Sequence, residues 1–195
     1  MLKIFLLSIF LTCSSFAATI GKPAPDFKLK SHMGKTVSLS EFKGKTVVLE
    51  WYNYGCPFVR KHYDSKNMQS LQKKYKNDVI WLAIASSAKG KQGYLAGSGE
   101  AVLKYQDEGM AAHSLLLDTD GTVGRLYGAK VTPHMFIVDA QGTLVYEGGI
   151  DDILSADPKD VAKAHNYIAQ SIDELKSGKK LSHTKTDAYG CAVKY

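Results

Sequence analysis

Two cysteines carry the chemistry open to this sequence. Cys56 stands in Glu50-Trp51-Tyr52-Asn53-Tyr54-Gly55-Cys56-Pro57-Phe58-Val59-Arg60. An apolar strand, Thr46-Val47-Val48-Leu49, enters a short turn there, and Cys-Pro opens a helix. The free amides and positive end of a helix N-terminus favour a thiolate, the reactive form of cysteine. Pro57 suits the first helical turn, where an N–H would be unpaired anyway. A buried cysteine can also be no more than a small hydrophobe, but a Cys-Pro pair at a strand-to-helix junction favours the reactive reading. The second residue, Cys191, lies in Gly190-Cys191-Ala192-Val193-Lys194-Tyr195 at the far end of the chain.

The compartment bears on what these thiols do. Lys3 and the apolar run Ile4 to Leu11 read as a secretory leader, with Ser15-Phe16-Ala17 as the small-residue cleavage site. Residues 1–17 are therefore expected to be a signal peptide, and the mature protein to be periplasmic or secreted. The run is too short to span a bilayer, and no stable membrane insertion is expected. Cys13 follows Phe10-Leu11-Thr12, a poor lipidation signal. Cleavage leaves Cys56 and Cys191, an even pair in an oxidising compartment. The pair can be a permanent staple, worth ~5 kcal/mol in the chain-entropy model, or a redox couple.

The chain of 195 residues is long enough for one domain with a proper core. Its net charge of +6 comes from scattered lysines, and Arg60 and Arg125 are its only arginines. Nucleic-acid readers favour arginine for bidentate contacts, so no nucleic-acid partner is expected. The six histidines and the cysteines show no metal-ligand spacing. Walker, dinucleotide-binding and Ser-His-Asp patterns are also missing. Neither a cofactor nor a metal is expected.

Periodicity supplies the scaffold. Residues 26–30 and 37–39 alternate like short half-buried strands, and Ser40 to Gly44 reads as a turn. Thr46–Tyr52 and Asp78–Ser86 are apolar enough to be buried strands. One helix is expected over Pro57–Lys76, another over Glu100–Met110, and a mobile Gly/Ser/Lys-rich loop over Ser87–Gly99. Ser114–Leu117 reads as a strand and Thr122–Tyr127 as a helix ended by Gly128. Val131-Thr132-Pro133 feeds a strand that turns at Gln141-Gly142 into Thr143–Glu147. Pro158–Lys176 reads as a last amphipathic helix. Residues 178–195 read as an irregular tail with little apolar surface, free to move. The domain, 18–177, should be α/β, with helices on both faces of a sheet and Cys56 at the carboxyl end of a central strand.

These residues resemble the thioredoxin superfamily, within it the redoxins of the alkyl hydroperoxide reductase and thiol-specific antioxidant group, in their peroxiredoxin-like branch. The similarity runs through Gly21-Lys22-Pro23-Ala24-Pro25-Asp26-Phe27, Leu39-Ser40-Glu41-Phe42-Lys43-Gly44-Lys45, Gly55-Cys56-Pro57-Phe58-Val59, Leu126-Tyr127-Gly128, Thr132-Pro133, Gly148-Gly149-Ile150-Asp151-Asp152 and Gly190 to Tyr195. It implies a thioredoxin-like fold: a central mixed sheet, helices on both faces and an N-terminal strand extension. It also implies that Thr132-Pro133 is a cis-proline loop facing Cys56. The sequence departs from both sub-patterns. Leu49 and Asn53 stand where peroxiredoxins have Pro and Thr, and Val59 stands where disulfide reductases have a second Cys. Thr132-Pro133 replaces the distant peroxiredoxin arginine, for which Arg60 is a candidate substitute. Asn53 can still donate through its amide.

Supporting roles are expected for Glu50, a carboxylate in an apolar strand on one face with Val48 and Tyr52. Burial would raise its pKa and suit it to proton relay, unless a salt bridge to lysine explains it. His134 and His62 read as structural. The resemblance implies an oxidoreductase using Cys56 as the reactive thiolate and Cys191 as the resolving residue. The leading expectation is a peroxiredoxin-like enzyme acting on a peroxide, the alternative a protein thiol-disulfide oxidoreductase using the same pair, with an external thiol reductant, a thioredoxin-like protein or a small thiol. The rival from another class is a non-catalytic binding domain stapled by the same pair.

Overall fold

The computed structural model describes residues 17–195. The expected leader, with Cys13, lies outside the described residues except for its final Ala17. Fourteen regular elements follow: β1 (Lys28–Ser31), β2 (Thr36–Ser38), β3 (Thr46–Trp51), α1 (Pro57–Asp64), α2 (Asn67–Tyr75), β4 (Val79–Ala85), α3 (Ser98–Asp107), β5 (Ser114–Leu117), α4 (Thr122–Tyr127), β6 (Val131–Thr132), β7 (His134–Val138), β8 (Leu144–Gly148), α5 (Tyr167–Lys176) and β9 (Cys191–Ala192).

Seven strands form one sheet in the order β2-β1-β5-β4-β3-β7-β8. β3 and β4 run parallel, as do β4 and β5, because helices carry the chain across each time. The hairpin β7–β8 pairs antiparallel along β3, and the β1–β2 extension attaches antiparallel to β5. This is the thioredoxin-like mixed sheet with its N-terminal extension.

Alternation along the central strands builds the two faces. Val48 and Tyr52 of the β3 stretch, Trp81 and Ala83 of β4 and Met135 and Ile137 of β7 pack with α1, α2 and α5. Val47, Leu49, Trp51, Leu82, Ile84, Phe136 and Val138 face the other way, against α4 and the N-terminal segment. Helices therefore cover both faces. Among the described residues no helix is long and apolar enough to cross a membrane.

Four expectations need correction. The helix expected over Pro57–Lys76 is two helices, broken where Lys66 turns left-handed (φ 61°). The Ser65 hydroxyl accepts from Asn67 N, and the Asn67 amide bonds the His62 ring at 2.9 Å, so local side chains replace the helical ladder. The helix expected over Pro158–Lys176 is a 3-10 turn, Pro158–Ala162, followed by α5. Asn166 caps α5 by accepting from Ala169 N at 2.8 Å. The Ser87–Gly99 loop is tied down rather than free, with Leu95 buried. The tail beyond Gly178 is likewise docked, and ends in the two-residue sheet β6–β9.

Candidate active site

β3 delivers the chain to the carboxyl edge of the sheet, where the turn is fastened by Asn53. Its carboxamide oxygen accepts from Gly55 N at 2.9 Å, and its backbone carbonyl accepts from Cys56 N at 3.0 Å. Its amide nitrogen donates to the Gln92 carbonyl at 3.2 Å, and the Gln92 side chain donates to the Gly55 carbonyl at 2.9 Å. The loop after β4 is thereby laced to the cysteine turn. A Cβ at Gly55 would overlap the Gln92 side chain, so this close approach requires glycine.

Cys56 is the N-cap of α1, and Pro57 is the first helical residue, as expected. The thiol is fully buried. The Thr132–Pro133 bond is cis, and the Cys56 thiol donates to the Thr132 carbonyl at 3.0 Å. Cys191 pairs with Thr132 in the antiparallel β6–β9 ladder. Both cysteines are free, and Cys191 lies beside Cys56 across the Thr132 strand.

The two thiols are unequal. Burial pushes the Cys56 thiol up. The Cys191 thiol, the Thr132 side chain and the N–H groups of Cys191 and Val59 outweigh it and bring Cys56 below its ordinary value. Burial, and then the hydrogen bond and charge of Cys56, push Cys191 up to about 11. Cys56 is therefore the more acidic of the two thiols and Cys191 the less acidic.

The tail is held on both sides of Cys191. Tyr189 is buried, and its hydroxyl sits between Lys61 and Asp151. Beyond the cysteine, Val193 N donates to the Lys130 carbonyl at 3.0 Å, and Ala88 N donates to the Lys194 carbonyl at 2.8 Å. Tyr195 donates to the Ala129 carbonyl at 2.8 Å and lies under the Arg125 guanidinium. Gly190, at φ +145°, runs so close to the Thr132 carbonyl that a Cβ would overlap it.

The remaining residues singled out in the sequence are placed elsewhere. Arg60 makes a two-pronged ion pair with Glu108, its second prong at 2.7 Å, and another with Asp64 at 2.9 Å. Glu108 also accepts from Tyr52. Glu50 lies on the face with Val48 and Tyr52 and is fully buried. It accepts from Trp81 (2.7 Å), Tyr63 (2.9 Å) and Gln72 (3.3 Å), so neither the thiol nor a lysine is its partner. Burial raises its carboxyl to about 7 despite those three donors. His134 accepts from Lys130 N and packs on Phe136, and burial lowers it to about 4. Gln92, Lys61 and Tyr189 were not legible as site residues. Their signals were Gly55 beside the cysteine, and Asp151 and Gly190 inside the Gly148–Asp152 and C-terminal motifs.

The AhpC/TSA family profile matches residues 20–147. The thiol-disulfide oxidoreductase ResA of Bacillus thuringiensis is 26% identical over 66% of this chain and 68% of its own length. The peroxiredoxin Bcp of Bacillus subtilis is 21% identical over 80% of this chain and 94% of its own. An uncharacterised conserved protein of Geobacillus kaustophilus superposes with a TM-score of 0.75 at 23% identity, covering 91% of this chain and 92% of that one, a likeness of fold. The matched family and its relatives are redoxins and oxidoreductases working through thiols, and this chain is an oxidoreductase of that general kind. With about two thirds of its length matched, from the segment leading into β1 to the end of β8, the chain belongs to the AhpC/TSA family.

Proposed function

We propose that this chain is an exported thiol–disulfide oxidoreductase in which Cys56 attacks and Cys191 resolves. One observation carries the reading. Cys191 lies in an extended strand opposite Thr132, whose carbonyl is bonded by the Cys56 thiol. A disulfide-bearing strand in that place would present its sulfur to Cys56. The Cys56 thiolate attacks one sulfur of a substrate disulfide, forms a mixed disulfide and expels the other half as a thiolate. Cys191 gives up its proton and attacks the Cys56 sulfur. The intramolecular disulfide forms, and the second half of the substrate leaves as a thiol. An external dithiol or two small thiols then reduce the pair. Asn53 and Pro57 shape the turn, and Thr132-Pro133 supplies the facing carbonyl. Because Cys56 is fully buried, β9 must lift before substrate enters. Extracytoplasmic placement is supported by the leader-like N-terminus, and by the likeness to a DsbE thiol:disulfide interchange protein of Yersinia pestis, 28% identical over 151 residues.

A second reading, peroxide reduction, is favoured by the resolving thiol already standing beside Cys56. There the thiolate takes the terminal peroxide oxygen and the O–O bond breaks, Cys56 becoming a sulfenic acid while the leaving alkoxide or hydroxide takes a proton from solvent, and condensation with Cys191 releases water. Against it, the chain's nearby guanidinium, Arg60, is engaged by two carboxylates. Stopped-flow oxidation of the reduced mature protein by hydrogen peroxide and by a mixed-disulfide peptide separates the two. Faster reaction with the peptide is expected. In Cys191→Ser the first step should persist, with Cys56 trapped as the mixed disulfide. If Cys191→Ser turns over like wild type, the two-cysteine mechanism is wrong.

A further inference from the structure

Beneath the tail lies a buried polar cluster that the chemistry above does not use. Lys61 and His62, on α1 beyond the first turn after Cys56, are both fully buried. The Lys61 ammonium donates to the Ile153 carbonyl at 2.7 Å and to Asp151 Oδ1 at 3.3 Å, and lies 3.0 Å from Asp151 Oδ2. Its third donor goes to the Tyr189 hydroxyl at 3.0 Å. That hydroxyl donates to Asp151 and lies 3.3 Å from His62 Nε2. The Tyr189 ring meets Phe58 edge-on at 5.8 Å between centroids. A lysine, an aspartate and a histidine are thus gathered from α1 and the β8–α5 connection around one tyrosine. That tyrosine is two residues from Cys191.

An ammonium and a carboxylate at full burial are costly unless every partner is in place. Tyr189 bridges this pair, because its one hydroxyl accepts from the cation and donates to the anion, while Asp151 Oδ2 has the ammonium at 3.0 Å and no other hydrogen-bonding partner among the described residues. When the tail leaves, both charges lose a partner. The cluster therefore discriminates between docked and undocked tail more sharply than an apolar contact would. Gly190 then lets the chain pass the Thr132 carbonyl, and Cys191 falls into register.

We propose that Tyr189 is a positioning residue: through the buried Lys61–Asp151 pair it latches the tail, so that Cys191 is already docked beside Cys56 in the reduced protein. The inference deepens the two-cysteine reading and rests on it. The latch raises the effective concentration of Cys191 at Cys56, and it holds in place the thiol and amide that stabilise the Cys56 thiolate.

Both effects can be read without the natural substrate. Reduced protein is equilibrated with glutathione and glutathione disulfide. One glutathione disulfide and the two protein thiols give the Cys56–Cys191 disulfide and two glutathiones, and the equilibrium reports the effective concentration. Tyr189→Phe removes only the hydroxyl. It should lower the effective concentration about tenfold or more, the loss expected for a hydrogen bond to a charged group. The pH midpoint of Cys56 alkylation, read by peptide mass spectrometry, should move upward. A substitution that loosened packing away from the docked tail would not move that midpoint. Asp151→Asn probes the latch from the other side and should act in the same direction. If wild type closes and both variants close with wild-type equilibrium and midpoint, the latch is wrong while the two-cysteine reading stands. If wild-type Cys56 and Cys191 do not form a disulfide at all, both fall.

Discussion

Gly190→Ala is the substitution that should act most sharply on the candidate site while leaving the sheet untouched. The residue has φ +145°, which side-chain-bearing residues rarely adopt, and its Cβ would overlap the Thr132 carbonyl oxygen. The strained backbone alone costs ~1–3 kcal/mol. The overlap adds to this, because the obstacle is main chain held in the cis-proline loop and no rotamer relieves it. A docking penalty of about 3 kcal/mol or more lowers the docked-to-undocked ratio at least about a hundredfold. Hydrogen exchange by mass spectrometry should show that loss at Val193, whose N–H bonds the Lys130 carbonyl in the wild type. Cys56, stripped of its cover, should be alkylated faster at saturating pH. The thermal midpoint should fall by no more than about 6–12 °C, since both faces of the core remain. Gly178→Ala is the control: it also has positive φ, but a Cβ there meets open space. If Gly190→Ala keeps wild-type protection over residues 191–195 and wild-type alkylation, the tail is not held by the Gly190–Thr132 approach.

Two further outcomes follow from buried charge. Arg60→Gln should cost ~2–3 kcal/mol in urea unfolding, because Glu108 is left buried with Tyr52 as its remaining side-chain donor. The rate of Cys56 alkylation should stay within about twofold of wild type, and a collapse of that rate would place Arg60 at the thiol after all. Stability should also depend on pH in two opposed ways. His62 and His134 are each lowered from 6.5 to about 4, chiefly by burial. Unfolding takes up protons between those values, so each contributes up to about 3 kcal/mol above pH 6.5 that is lost as pH falls through 4. Glu50 is raised by burial from 4.5 to about 7, so the folded state holds its proton there. Its contribution is present below pH 4.5 and lost as pH rises through 7. Two histidines outweigh one glutamate, and urea unfolding should show stability rising from pH 4 to 6.5. Removing the glutamate's opposition with Glu50→Gln should steepen that rise; an unchanged profile would refute the assignment.

Period-two alternation put Glu50 on the face with Val48 and Tyr52, and the apolar runs placed β3, β4 and β5 within a residue or so of their observed bounds. The Cys-Pro junction located the thiol at its helix N-terminus. What stayed hidden were decisions made by side chains far apart in sequence. Nothing local to Tyr189 says that a lysine 128 positions earlier will bond its hydroxyl. The tail looked free because its composition is polar. Its anchors are backbone hydrogen bonds and a buried ion pair, which composition does not record. Arg60 looked available because its acceptor, Glu108, arrives from beyond α3. The break between α1 and α2 depended on Ser65 and Asn67 competing with the helical ladder, which spacing of apolar residues cannot register.

Docking the Cys191 strand on the Thr132–Pro133 loop ties the character of Cys56 to segments far from it in sequence. The donors that lower the Cys56 thiol come largely from Cys191 itself. Until the last strand docks, Cys56 lacks them and remains a less acidic thiol at a helix end. Docking uses the Thr132–Pro133 loop, the Lys61–Asp151 pocket and the Ala129 carbonyl, all distant in sequence from the tail. The lowering of the Cys56 thiol therefore belongs to the docked fold and not to the helix end alone. A variant that loses any of these three supports should keep a less acidic Cys56 thiol.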